Sequence, residues 1–264
     1  MSNSLMYDYE QVRVVLNDEV VDPLSDEVTV PDLSFVFGPL KAQIPVIFFY
    51  NSDVRDERTE RVCEEAGVLT CGAVGSKIPL MLPSNVESFA VEPSDSLFAS
   101  TYLYEVLDPS TTEAKSQIDL ITKCARSVVV GCSVSERHGR ALANEFRLAS
   151  ALLVGPTQAS TFKDIDTMGM ASPRVSLTQN LARDTNVPVF VTAGSASDTC
   201  KALVAGADAV VINIGGPFEP DEDVKFVVDA VVQSLHDNIE RLCKLSGAKT
   251  PRDLMFRCRL IPVR

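Results

Sequence analysis

The stretch Asn186-Val-Pro-Val-Phe-Val-Thr-Ala-Gly194-Ser-Ala-Ser-Asp198-Thr-Cys-Lys201-Ala-Leu-Val-Ala-Gly206-Ala-Asp208-Ala-Val-Val-Ile-Asn213 decides the fold. Val187 to Val191 and Ala209 to Ile214 are nearly continuous apolar runs, which is how strands buried on both faces read. Between them, Ser197 to Ala205 carries a helical pattern. The oxygen-bearing residues from Ser195 to Asp198 can cap its first amides, and Gly206 stands where a left-handed residue ends a helix. The Gly206-Ala-Asp208 turn closes that helix and starts the next strand, so it specifies fold. Strand, helix and strand in this order imply parallel pairing through a right-handed crossover.

The same alternation continues outward from this unit. Upstream, further short apolar runs occur at Ile44 to Tyr50, Leu69 to Val74, Tyr102 to Val106, Val128 to Cys132 and Ala151 to Val154. An eighth strand is expected at Ser88 to Val91 or within Ile78 to Leu82. Helical patterns fill Arg55 to Ala66, Thr111 to Ala125, Glu136 to Ala149, Leu177 to Asp184 and Asp223 to Leu245. In the last, Val224, Val227, Val228, Val231, Leu235, Ile239 and Leu242 recur at three- and four-residue steps and mark one buried face. Gly67 and Gly247 are expected as further C-caps. Seven or eight units in 264 residues suit a single α/β (β/α)₈ TIM-type barrel, which takes about 250 residues; a doubly wound open sheet is the rival. Residues 1–40 read as an N-terminal extension, with Val12 to Leu16 and Val28 to Val30 as a short hairpin, and 41–264 as the barrel. Gly75 to Ser100 is expected to replace a helix by an irregular loop.

Composition restricts the function. The chain is 45% hydrophobic and 23% charged, and no run approaches the roughly 20 apolar residues of a membrane span. Met1 to Glu10 lacks the layout of a secretory signal, so a cytoplasmic location is expected and a membrane partner is not. The net charge of −12 argues against a nucleic-acid surface, which needs clustered Lys and Arg. Seven Cys, none at C-x-x-C spacing, suggest buried thiols in a reducing compartment, with no locally encoded metal or iron–sulfur site.

The 186–213 stretch resembles the last strands of the FMN-binding TIM-barrel superfamily: IMP dehydrogenase, type 2 isopentenyl diphosphate isomerase and the FMN-binding domain of glutamate synthase. The end of the last helix, His236-Asp-Asn-Ile-Glu-Arg-Leu-Cys-Lys-Leu-Ser-Gly247, is most similar to the glutamate-synthase and isomerase branch. Gly155-Pro-Thr-Gln-Ala-Ser160 stands where that branch keeps a Gly-rich loop. The resemblance covers about 105 to 255. It implies an FMN-dependent, oxidoreductase-like barrel acting on a small molecule. The sequence departs from the family pattern at Ser195, where a second Gly is usual, and in Val128 to Ser133, which lacks the usual Lys. Those departures support the alternative of a catalytically degenerate barrel that binds a ligand or serves as a scaffold subunit.

The physical logic of a phosphate site can be stated without the family. Converging backbone amides and the positive end of a helix hold an anion, and Gly lets backbone approach closely. Gly194, Ser195 and Ala196 after one strand, with Gly215 and Gly216 after the next, are the expected cradle for FMN or another phosphate-bearing small molecule. Thr192 and Asn213 close the same two strands and are expected at the rim. Cys132 and His138 follow a middle strand and are the candidate nucleophile and acid–base group. Ser172 and Arg174 are candidates for substrate contact, and Asp53, Arg55 and Asp56 follow the first barrel strand. His236 is expected to be a surface or packing residue. Assembly as a homo-oligomer or a subunit of a complex is the remaining expectation.

Overall fold

The computed structural model describes residues 7–17, 30–38, 40–50, 56–72, 78–81, 101–105, 112–124, 127–131, 149–155, 173–215, 218 and 223–263. Eight parallel strands close into a barrel: β4 (Val46–Phe49), β5 (Leu69–Gly72), β6 (Ile78–Met81), β7 (Thr101–Glu105), β8 (Ser127–Gly131), β9 (Ala149–Val154), β10 (Val189–Ala193) and β11 (Ala209–Asn213), which pairs back onto β4. The barrel expectation therefore holds, and the eighth strand lies in Ile78 to Leu82. The helices are α1 (Glu57–Glu65), α2 (Thr112–Cys124), α3 (Arg174–Asp184), α4 (Ala196–Ala205), α5 (Val224–Ser246) and a short α6 (Leu254–Arg257). The helical reading of Glu136 to Ala149 lies outside the described residues except at its end, where Ala149 already belongs to β9. No helix among the described residues is long and apolar enough to cross a membrane.

Alternation sorts the strand side chains into two cores. Ile47, Phe49, Leu69, Cys71, Ile78, Leu153, Phe190 and Val211 fill the barrel. Val46, Phe48, Leu152, Val154, Val191, Val210 and Ile212 point outward beneath the helices, where Leu177, Leu181, Leu203, Val228, Leu235 and Ile239 meet them. Both faces are thus dry, which is why these strands read as continuous apolar runs. Gly206 and Gly247 end α4 and α5 with φ of 103° and 67°, and Gly67 follows α1 at 79°, as the C-cap reading requires. The Asp208 carboxylate accepts from the Val189 amide at 2.9 Å, while the Asp208 amide donates to the Val189 carbonyl at 2.8 Å. The Gly-Ala-Asp turn is therefore a structural clasp between β10 and β11.

The N-terminal region differs from expectation in its pairing. Val12 to Leu16 does form a strand, β1 (Val12–Leu16), but its antiparallel partner is β12 (Cys258–Pro262) at the other end of the chain. Val12, Leu16, Cys258 and Leu260 pack on the helical layer, so burial of both terminal segments over α4 outweighs local hairpin formation. A hairpin does precede the barrel, made by β2 (Phe35–Phe37) and β3 (Leu40–Ala42). Phe35 and Phe37 meet Phe190 edge-on, with ring centroids 5.8 and 5.1 Å apart. They close the end where the strands begin and leave the C-terminal ends as the mouth.

Candidate functional site

Thr192 is the last inward-facing residue of β10, two positions beyond the interior Phe190. It is buried, and its Oγ1 has no hydrogen-bond partner among the described residues. Beside it, Gly155 ends β9 at φ +102°, and a Cβ there would collide with Thr192 Oγ1 and lie 3.1 Å from Arg174 Cδ. The Thr192 carbonyl accepts from the Tyr9 hydroxyl at 3.0 Å. Arg174, opening α3, places its guanidinium 5.0 Å from the Tyr9 ring centroid and its Nε 3.3 Å from Asp8 Oδ1. Lys201 Nζ donates to the Tyr9 carbonyl at 2.8 Å. Burial pushes the Tyr9 phenol far above its ordinary range, so it stays a neutral donor; the Arg174 charge opposes that shift. Tyr9 and Lys201 were not singled out by sequence reasoning. The available signal was the capping box from Asp8 to Gln11, which sets the short 3₁₀ turn carrying Tyr9.

Ser195 takes the N-cap position of α4, and its Oγ accepts from the Asp198 amide at 3.1 Å. The Ala196 and Ser197 amides have no intrahelical acceptor and no other partner among the described residues. Gly194 and Ser195 are exposed. The Asp198 carboxylate also stands here: a Cβ on Gly194 would lie 3.8 Å from its Oδ2. An acidic group in the first turn suits the helix dipole and competes with an incoming anion.

Of the second loop, whose amides are expected to converge on the same anion, Gly215 is described and Gly216 is not. The Gly215 amide donates to Asn213 Oδ1 at 2.8 Å, so that donor already has a partner. Gly215 sits at φ +83° with open space around it, which makes its glycine a requirement of backbone conformation and not of close approach. Asn213 is exposed at the end of β11. A cavity of 330 Å³ lies between Gly194 to Ala196, Ile212 and the Ala230, Val231, Ser234 and Leu235 face of α5. It abuts the open amides of α4, and its walls are mainly apolar.

Cys132, His138, Gly216, Ser172, Asp53 and Arg55 lie outside the described residues. Asp56 caps α1, its Oδ1 accepting from the Arg58 and Thr59 amides at 3.1 Å each. His236 is on α5, half-exposed, with Nδ1 3.6 Å from Asp237 Oδ1. Among the described residues no group of His, Cys, Asp and Glu is arranged to hold a metal ion. The structure thus brings Thr192, Gly194, Ser195, Ala196, Asn213 and Gly215 to one end of two adjacent strands.

No family model matches this chain, and no curated protein matches it in sequence. Among solved structures it is similar to inosine 5′-monophosphate dehydrogenase from Legionella pneumophila, with a TM-score of 0.69 at 12% identity. The match covers 98% of this chain and 99% of that one. The similarity is one of fold, that of a barrel used by an oxidoreductase.

Proposed function

We propose that this chain is a ligand-binding barrel that takes a phosphate-bearing small molecule against the first turn of α4. The observation that carries the reading is the pair of open amides at Ala196 and Ser197, presented by a capped helix N-terminus beside a 330 Å³ cavity. Ser195 keeps its hydroxyl hydrogen for the ligand while its oxygen holds the cap. The apolar walls suit a ligand whose body is less polar than its phosphate. The similar solved structure bears the name of an enzyme acting on a nucleoside monophosphate, which is the same ligand class.

FMN is the cofactor that the sequence resemblance implies, and the described residues fit it poorly. A monoester phosphate would meet the same α4 amides whichever ligand carries it, and the described part of the second loop adds no free donor. The Gly215 amide is held by Asn213, and the Asp198 carboxylate stands beside Gly194. At the mouth, the described polar side chains facing the barrel axis are Thr192 and Asn213, neither of which exchanges a proton near neutral pH. The second reading, an active FMN-dependent oxidoreductase, draws its support from the shared fold.

Two measurements on the purified chain separate these readings. Calorimetric titration with inosine 5′-monophosphate is expected to show binding, competed by inorganic phosphate and abolished by Ser195→Glu, which sets a second carboxylate at the helix end. A visible spectrum with and without added FMN is expected to show no bound flavin. Absence of nucleotide binding, or binding untouched by Ser195→Glu, overturns the ligand-binding reading. Tight uptake of FMN puts the oxidoreductase reading in its place.

A further inference from the structure

Five of the chain's 24 basic residues and one of its 36 acidic residues fall within 249–264, although the whole chain carries −12. The fold adds Arg13 to this excess by pairing β1 with β12. Val14 and Leu16 face the helical core with Cys258 and Leu260, so strand alternation sends Arg13, Val15, Arg259 and Ile261 to the opposite face. In the register, Arg13 stands opposite Ile261 and Val15 opposite Arg259. The outer face is therefore a checkerboard of two guanidinium groups and two aliphatic side chains.

Several cations of the molecule are held by a carboxylate, and among the described residues those of the ribbon are not. Arg174, Lys225, Lys244 and Arg252 each lie within 3.5 Å of a carboxylate. Arg13, Arg257 and Arg259 are exposed and form no ion pair among the described residues. Phe256 is 70% exposed just before this stretch and Val263 is 55% exposed just after it. Diagonal like charges on a ribbon repel, and an aromatic ring beside them stands in water. The pattern is complementary to an acidic, partly apolar surface. The ribbon has two strands, so each keeps an outer row of backbone donors and acceptors unpaired within the sheet.

We propose that the β1–β12 ribbon docks an extended acidic segment of a partner protein, added along its edge as a third strand. Carboxylates of that segment stand beside the arginine of the strand it pairs with, within reach of the long arginine side chain on the other strand. Aliphatic side chains two residues away stand beside that strand's aliphatic residue, and main-chain hydrogen bonds fix the register. A nucleic acid would leave the aliphatic half of the checkerboard unmatched and would meet the repulsion of a chain at −12.

The test is fluorescence anisotropy on the full chain at low salt, with a labelled peptide of repeated Thr-Glu-Thr-Val as the probe. Binding is expected to weaken with added salt, to fall at least tenfold in the double variant Arg13→Glu/Arg259→Glu, and to fall less in Phe256→Ser. The same peptide with Lys for Glu is expected not to bind. Circular dichroism confirms that each variant is folded. If charge reversal unfolds the chain, Arg13→Gln/Arg259→Gln takes its place, with the same direction of effect. No binding of the acidic peptide to the wild-type chain, or equal binding by the arginine variants, overturns the proposal. So does a preference for single-stranded DNA or phosphatidylserine vesicles that depends on the same arginines.

Discussion

Tyr9 joins the N-terminal turn to the strand that ends at the mouth. Its hydroxyl donates to the Thr192 carbonyl in a buried setting, so Tyr9→Phe removes a donor and strands an acceptor. The expected cost is about 1–3 kcal/mol, read as a lower urea midpoint with an unchanged slope. Gly155 is constrained twice over, by its positive φ and by Thr192 Oγ1 standing where a Cβ would go. Gly155→Ala is expected to cost about 2 kcal/mol or more in the same measurement, whereas an alanine at exposed Ser197 is expected to change little. The thiols give a pH prediction. Burial raises Cys63 and Cys243 to about 12 and Cys200 to about 11, from 9.0, because the thiolate loses its hydration. The folded state therefore holds protons that the unfolded state releases. Stability from these groups is complete below pH 9 and is lost progressively as the pH rises from 9 to 12. At pH 8, mass-spectrometric mapping after brief iodoacetamide treatment should find these three positions unmodified in the folded chain and modified in urea.

α4 has the clearest conflict between stability and binding. Ser195 caps it, Gly206 ends it, and both terminal strands lie across it. Ser195→Ala is expected to cost about 1 kcal/mol through the lost cap and to weaken nucleotide binding modestly, because the open amides remain. Ser195→Glu is expected to spare most of the fold while abolishing binding, since an acidic residue at a helix start is tolerated by the dipole. Gly206→Ala serves as the contrast: φ is +103° and a Cβ would lie 2.8 Å from the Ala182 methyl, so the α3–α4 contact must open. It is expected to lower the thermal midpoint more than Ser195→Ala while leaving the ratio of bound nucleotide to folded protein unchanged. Circular dichroism melts with calorimetry on the same samples check both halves.

Across the whole molecule, β1 and β12 form a cover over the helical layer at α4. β12 pairs with β1 and, with α6, covers α4; Cys258 and Leu254 are buried beneath it. Removing residues 258–264 exposes that apolar surface and leaves β1 without a partner. The shortened chain is expected to melt at a much lower temperature and to aggregate on concentration, as measured by light scattering. Arg259→Gln, which keeps the backbone pairing, is expected to melt like the parent, because Arg259 forms no ion pair among the described residues.

The amino-acid sequence by itself determined seven of the eight barrel strands, the C-caps at Gly206 and Gly247 and the gathering of Thr192, Gly194, Ser195 and Asn213 at one strand end. Each of these rests on local physics: consecutive apolar residues need burial on both faces, a left-handed residue favours Gly, and alternation fixes which side chains point inward. The tertiary structure alone decided that β1 pairs with β12, that Tyr9 reaches Thr192, and that Asn213 captures the Gly215 amide. Val12 to Leu16 reads equally well as either member of a hairpin, because alternation specifies a face and not a partner. The partner is set by what buries α4, a surface assembled from residues nearly 250 positions apart along the chain. The Gly215 amide was likewise readable as an anion donor, since nothing local announces the turn that gives it to a side chain. Contacts between distant segments depend on where the closed barrel places its ends, and that placement exists only once the whole chain has folded.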